Sequence, residues 1–446
     1  MPVPVLVLAL LIGCLPERGP DVVLLTVDTL RRDHVGAFSP ESPAKTPAID
    51  ALARDGVVYE QAFSPISVTG PAFVSLFTGQ APGTHGVVLN TFRGGPALAE
   101  GTPTLATRLR QRRFTTAAFV SGFTLRPSLG LDPGFQVYDA PAEGVNRRPG
   151  DRTTQRAIAW VEDQHRWARL LLWWHSYDPH GPFDVVPEAA PLDHGWERQP
   201  AQLARIAPYQ RIEGISDPRF YTARYAAAVE HSDRQVDRLV QALKQAGRYD
   251  DALIILTADH GESFTERELW FDHGTHASAE QLRIPLVIKY PGGAGAGERV
   301  QELVDLVDLA PTVLATLGYE PLAKADGRPI GAGARTEVVG ESSHCKDEPV
   351  LSCSPRGPDG KELARRDRSW TLLRLPRATG PEWVVYDRAE DSLELRALGV
   401  EQAPPGWAEA LQAAFEQRVG RGLRLPSAQG EDDAEIEALR ALGYVE

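Results

Sequence analysis

Asp21–Val27, DVVLLTV, is an unbroken apolar run between Pro20 and Asp28. A run that carries no polar alternation reads as a strand covered on both faces, the pattern of a parallel sheet between helix layers. Leu170–Trp174 (LLLWW) and Ala252–Thr257 (ALIILT) repeat it. Each run ends in ionisable residues: Asp28 after the first, His175, Asp178 and His180 after the second, Asp259 and His260 after the third. Ligands of open α/β sheets gather at strand C-termini, so the three runs predict both an α/β fold and the place of its site.

Helical patterns fall between these strands, at Pro47–Asp55, Thr104–Arg112 and Tyr221–Gln245. From Leu317–Ala325 onward Gly and Pro become dense, and no later strand ends in such a cluster. The expected organisation is therefore a catalytic domain over residues 21–318 and a smaller α+β subdomain over 319–446. Strand-like runs at Trp370–Leu375 and Trp383–Tyr386 and a helix at Pro405–Gly420 belong to the latter, and the acidic stretch Glu431–Glu437 opens a last short helix.

The 446 residues carry a formal net charge of -13, which argues against nucleic acid as a partner. Val3–Ile12 is too short to span a bilayer but suits the apolar core of a signal peptide. Leu11–Cys14 resembles a bacterial lipobox, which implies removal of residues 1–13, lipidation of Cys14 and an exported protein held at the membrane by that anchor alone, periplasmic or on the cell surface. No Lys or Arg precedes the apolar run, a departure from the usual signal. Cys345 and Cys353 remain as an even pair, either a disulfide or two free thiols.

Asp259 and His260, in TADHGESF, pair a carboxylate with an imidazole at a strand end, and Asp28 supplies a second carboxylate. Thr69 opens an apolar helical segment in VTGPAFVSLFTG, Val68–Gly79. A divalent cation held by Asp28, Thr69, Asp259 and His260 would make the Thr69 hydroxyl a nucleophile near neutral pH. HSYDPHGPF (His175–Phe183) and FDHGTHASAEQLRIPLVIKYPGG (Phe271–Gly293) add further imidazoles. His175, His180, His260, His273 and His276 are five of the chain's 11 histidines, and each of their segments also carries an Asp.

VDTLRRDHVG (Val27–Gly36), the Thr69 segment, SGFTLRPSLGLDPGFQVYD (Ser121–Asp139), HSYDPHGPF, TADHGESF and HGTHASAEQLRIPLVI resemble, in order, the blocks of bacterial sulfatase-like hydrolases of the alkaline phosphatase superfamily. VDLVDLAPTVLATLG (Val304–Gly318) and ADGRPI (Ala325–Ile330) extend the likeness. It implies a central, mostly parallel sheet flanked by helices, with Asp28, Asp259 and His260 as metal ligands. Thr69 then stands for the nucleophile, His180 for a substrate-binding or acid/base residue, and His273 for the group that contacts the transferred group or protonates the leaving oxygen. His276 is a second candidate for that last role.

Several positions depart from the family pattern. Sulfatases convert a signature Cys or Ser to formylglycine, and Thr69 cannot follow because its Cβ bears a methyl group. Phe73 replaces the signature Arg, Thr29 the second Asp of an Asp-Asp pair, and His260 stands where many calcium enzymes carry Asn. A nitrogen ligand moves preference toward zinc or manganese, with calcium still open. An unmodified Thr resembles the nucleotide pyrophosphatase and phosphodiesterase branches, whose second metal would here need Asp178, His180 and His273. Two functions are therefore in play: hydrolysis of an anionic phosphate or sulfate ester by Thr69, or an inactive lipoprotein that binds an anionic glycan or a partner. Composition says nothing about the oligomeric state.

Overall fold

The computed structural model describes residues 19–91, 96–343, 361–377, 381–407, 409–410 and 413. Cys14, Cys345, Cys353, most of the expected helix at Pro405–Gly420 and the C-terminal acidic helix lie outside them.

The main sheet has nine strands: β1 (Val22–Val27), β2 (Val57–Phe63), β3 (Thr115–Val120), β4 (Val137–Asp139), β5 (Leu170–Ser176), β6 (Leu253–Thr257), β7 (Arg283–Ile284), β8 (Leu286–Lys289) and β9 (Arg299–Asp305). Their order is β4-β3-β5-β1-β6-β8-β2-β7, with β9 also on β2. One half, from β4 to β6, is parallel throughout. Beyond it β8 runs antiparallel to both β6 and β2, β7 is antiparallel to β2, and β9 is parallel to β2. All residues of β1, β5 and β6 are buried, which is why their sequences show no alternation.

Helices Gly150–Glu162 and Pro47–Asp55 pack on the long helix Pro218–Gln245, while Thr69–Thr78 packs on Leu309–Thr316. Pro47 and Pro218 sit in the first turns, where a missing N–H costs nothing. Among the described residues no helix is long and apolar enough to cross a membrane.

A separate antiparallel sheet follows, β10 (Val338–Glu341), β11 (Leu363–Arg366), β12 (Trp370–Leu375) and β13 (Glu382–Asp387), in that order. Ala364, Leu373 and Tyr386 pack on Ala277 and Leu282 of the main domain, and Glu341 N–H donates to Pro65 O at 3.0 Å. The small sheet is thus built onto the segments that approach the strand ends of the large one.

At the opposite ends of the parallel strands a buried ion pair sets their alignment. Asp21, just before β1, accepts Leu170 N–H at 2.8 Å through Oδ1 and Arg248 Nη1 at 3.0 Å through Oδ2, while its carbonyl accepts Leu253 N–H at 2.9 Å. Arg248 also donates to the carbonyls of His165 and Ala168. Asp21 therefore joins the starts of β1, β5 and β6, through its carboxylate to β5 and its carbonyl to β6. Arg248→Met leaves that carboxylate buried without a counter-charge and should cost about 3–5 kcal/mol of unfolding free energy. Denaturant titration checks it; a loss below about 1 kcal/mol, within the range of a surface pair, would mean that Asp21 and Arg248 do not hold the strand starts.

Candidate active site

Common starts and parallel register bring the strands to a level finish. Thr26 of β1 stands beside His175 of β5 on one side and Thr257 of β6 on the other. Asp28 and the pair Asp259 and His260 therefore leave the sheet as neighbours. Thr69 is the first residue of helix Thr69–Thr78, which Gly79 ends in the left-handed conformation with φ 68°. Gly70 N–H, free at that helix start, donates to Asn90 Oδ1 at 2.8 Å. A β-carbon on Gly70 would lie 2.7 Å from the same oxygen, so a larger residue beside Thr69 would have to displace the Asn90 side chain.

The structure brings Asp28, Thr69, Asp259 and His260 together, all buried. One ligand atom from each of Asp28, Asp259 and His260 lies within 4.8 Å of the others. Thr69 Oγ1 is 3.4 Å from Asp28 Oδ2 and 3.4 Å from His260 Nε2. Asp259 Oδ1 accepts the N–H groups of His260 at 2.9 Å and Thr29 at 3.2 Å. Asp259 Oδ2 and Asp28 Oδ1 are buried with no hydrogen-bond partner. His260 Nδ1 lies 2.8 Å from Gly261 O, which can only accept, so the proton is on Nδ1 and Nε2 carries a lone pair. That Nε2 faces Asp259 Oδ2 at 3.4 Å without a hydrogen bond. About 3.4 Å is also the spacing of two ligands about 2.1 Å from one tetrahedral ion.

Electrostatics agree with this geometry. Burial pushes the Asp28 carboxyl well above its ordinary range, and the charges of Asp259 and Glu262 push it further. Arg31, the nearby guanidinium, is already paired with Asp33 and Glu266 at 2.6 and 2.7 Å. Two orphaned carboxylate oxygens and an imidazole lone pair on one point are a donor set for a divalent cation, and the residues fit one.

Thr29 holds φ 53°, a left-handed conformation uncommon for a β-branched residue. It is held by its N–H bond to Asp259 and by Tyr225, whose hydroxyl donates to Thr29 O at 2.7 Å and accepts Arg31 N–H at 2.9 Å. The turn carries the chain away directly after Asp28.

The other imidazoles form a row. The His260 and His273 rings are 4.6 Å apart, those of His273 and His180 4.9 Å, and Tyr177 stacks on His180 at 4.2 Å. His180 Nδ1 lies 2.8 Å from Gly181 O and His273 Nδ1 3.3 Å from Glu262 Oε2. Burial, reinforced by His273, holds His180 neutral by pulling its pKa well below the usual value.

Two expectations fail. His276 Nδ1 is drawn to Glu362 Oε1 beside β11, at 3.1 Å, outside the row. Asp178 cannot serve a second ion, because Oδ1 accepts Gly150 N–H at the start of helix Gly150–Glu162 and Oδ2 is taken by Ser176 Oγ and His231 Nδ1. Among the described residues the one metal-type cluster is Asp28, Asp259 and His260.

Two residues gain importance beyond their sequence reading. His175 Nε2 is 3.3 Å from Asp28 Oδ2, and burial pulls the ring down to about 3. Glu262, two residues after His260, buttresses His273; its position in TADHGESF was the available signal. Phe73 is fully buried between Trp173 and His175, at ring separations of 5.1 and 5.0 Å.

The sulfatase family model matches residues 20–319. The chain belongs to the sulfatase family. Among its relatives, the multifunctional alkaline phosphatase superfamily protein PehA of Trinickia caryophylli is 26% identical over 393 residues, covering 70% of this chain and 76% of that one. An ulvan-active sulfatase of Formosa agariphila is 24% identical over 345 residues, covering 70% of this chain and 54% of that one. The phosphonate monoester hydrolase of Agrobacterium radiobacter shares the fold, with a TM-score of 0.70 at 23% identity over 91% of this chain and 95% of that one. Within the sulfatase family this chain is a hydrolase with a candidate Asp28/Asp259/His260 metal cluster beside Thr69.

Burial, only partly offset by His260 and Arg31, raises the Glu262 carboxyl from 4.5 to about 8. A carboxyl raised in the folded state adds stability that is full below its ordinary pKa and is lost as pH rises through the folded value. In chelator, the thermal midpoint of the wild type should therefore fall between about pH 4.5 and about 8, and Glu262→Gln should flatten that fall. An equal slope in both proteins would rule out Glu262 as its source.

Proposed function

We propose that the chain hydrolyses phosphate or sulfate esters by direct attack of the unmodified Thr69 hydroxyl. The observation that carries this reading is the position of Thr69 Oγ1, 3.4 Å from both Asp28 Oδ2 and His260 Nε2 at the N-terminus of a ten-residue helix. A divalent cation held by Asp28, Asp259 and His260 would supply the charge that acidifies the hydroxyl; with one imidazole in the set, zinc or manganese suits it better than calcium.

Thr69 donates its proton toward Asp28 Oδ2, and the positive end of the helix dipole favours negative charge on Oγ1. The new bond forms between Oγ1 and phosphorus or sulfur as the bond to the leaving oxygen breaks. His273, held through Nδ1 by Glu262, presents Nε2 to protonate that oxygen, while His180, whose Nδ1 proton goes to Gly181 O, stays neutral beside it and positions the ester. Water then attacks the Thr69 ester, His273 takes its proton, and the bond to Oγ1 breaks as Asp28 returns the threonine proton. Phosphate esters are preferred over sulfate esters, since the formylglycine route is closed to Thr69.

An anionic ester as substrate is in keeping with the relatives' names. The reading places the catalytic unit at residues 21–318, the subdomain at 319–446, and a lipid anchor on Cys14 of an exported, periplasmic or cell-surface protein, with no nucleic-acid partner. Phe73 favours one rival: with an aromatic ring in place of the signature Arg, the cleft could serve only to bind an anionic glycan or a partner.

Turnover of bis-p-nitrophenyl phosphate, p-nitrophenyl phosphate and p-nitrophenyl sulfate, together with metal content, separates the readings. Thr69→Ala should lower turnover about a thousandfold or more with metal still bound, and Thr69→Ser should recover much of it. A metal-loaded wild type that turns over none of the three esters leaves the binding protein.

A further inference from the structure

Downstream of Asp28 the chain enters a cavity of about 180 Å³, whose lining includes Arg31, Arg32, Asp33, Glu280, Arg283 and the loop residue Leu393. Three parts of the fold meet there: the segment after β1, the start of β7, and the loop after β13.

Its charges do not balance. Arg31 is neutralised by Asp33 and Glu266, and Glu280, also in the lining, by Arg267. Glu60, by contrast, is the one carboxylate shared by Arg32 and Arg299. Arg283, beside them, forms no ion pair among the described residues; its one hydrogen bond there is from Nη2 to the backbone carbonyl of Glu60, at 3.0 Å. Arg32 likewise uses only Nη2, so Nη1 of both guanidinium groups is uncommitted. The crowding is visible at Arg283, whose pKa is pulled down to about 9 by burial and then by Arg32 and Arg388. Arg388 itself donates to Gln61 and to a backbone carbonyl, not to a carboxylate.

Three guanidinium groups beside one carboxylate, two of them lining a half-enclosed cavity with Nη1 uncommitted, offer more N–H donors than the described acceptors take up, which is the chemistry that binds an oxyanion. The volume limits the guest, because pockets for larger organic ligands begin at about 300 Å³. We propose that this cavity is a binding site for a single sulfate or phosphate group, separate from the Thr69 centre. The group arrives either as the free ion or as the end of an ester that extends into solvent. The site stands whether or not Thr69 is the nucleophile.

Equilibrium dialysis of the metal-loaded full chain with radiolabelled inorganic phosphate tests it. Arg283→Gln and Arg32→Gln should each weaken one saturable equivalent about tenfold or more while turnover of bis-p-nitrophenyl phosphate is unchanged. Glu60→Gln, which releases Arg32 and Arg299, should tighten the same equivalent; this opposite sign excludes misfolding as the cause. Displacement of the label by unlabelled inorganic phosphate alone identifies the free ion as the ligand, and displacement by glucose 6-phosphate as well identifies the ester; both support the site. Equal phosphate binding by the wild type and all three variants would overturn it.

Discussion

Mutual repulsion among Asp28, Asp259 and Glu262 is the constraint around which the site is arranged. All three carboxylates are fully buried, and the parallel register of β1 and β6 leaves the first two no means of separating. Each is relieved in part. Asp259 gives one oxygen to two backbone N–H groups, Asp28 accepts from Thr69, and Glu262 lies against His273. What stays unmatched, Asp28 Oδ1 and Asp259 Oδ2, defines the demand for a cation. The chain bears that demand because the rest of the parallel half is fully buried apolar strand, tied at its far end by Asp21 and Arg248. Stability lies at one end of the strands and reactivity at the other.

The parallel half was legible for a simple reason. Strands covered on both faces leave uninterrupted apolar runs, and their ligands follow immediately, so the end of each run marks the site. Strand ranges at Val22–Val27, Leu170–Ser176 and Leu253–Thr257 depart from the sequence reading by at most two residues at either end. Helix Pro47–Asp55 was marked equally well by its leading proline. Strand order across β8, β2, β7 and β9 was not legible, because β2 and β8 are joined by pairing across more than two hundred residues and no local pattern carries that choice.

Side chains escaped the sequence where their partners are remote. Asp178 sits in a loop rich in ligand-type residues, yet His231, 53 residues on in a long helix, and Gly150 claim it for structure. His276 is decided by Glu362, which reaches it only because the small sheet docks on Ala277 and Leu282. Adjacency in sequence nominated both residues, and tertiary partners removed them. Glu262 shows the reverse, a residue that the TADHGESF motif placed only near the site and that matters because it faces His273.

The exchange of the signature Arg for Phe73 changes the charge that the cleft can accept. On the proposed mechanism a divalent cation would be balanced by the carboxylates of Asp28 and Asp259, leaving the immediate centre near neutrality. Of the rings around it only His273 carries charge, the proton destined for the leaving oxygen; burial holds His175 and His180 in their neutral forms, and Phe73 fills an aromatic wall against Trp173 and His175. A group with two full negative charges would then be desolvated against dipoles, one balanced ion and one imidazolium, whereas a singly charged group loses less hydration for the same contacts. Phosphate diesters and sulfate monoesters carry one charge; phosphate monoesters at neutral pH carry close to two. On the proposed mechanism, the loss of one arginine would therefore tilt the site toward singly charged esters, and between those, a threonine that cannot become formylglycine would favour the phosphate diester.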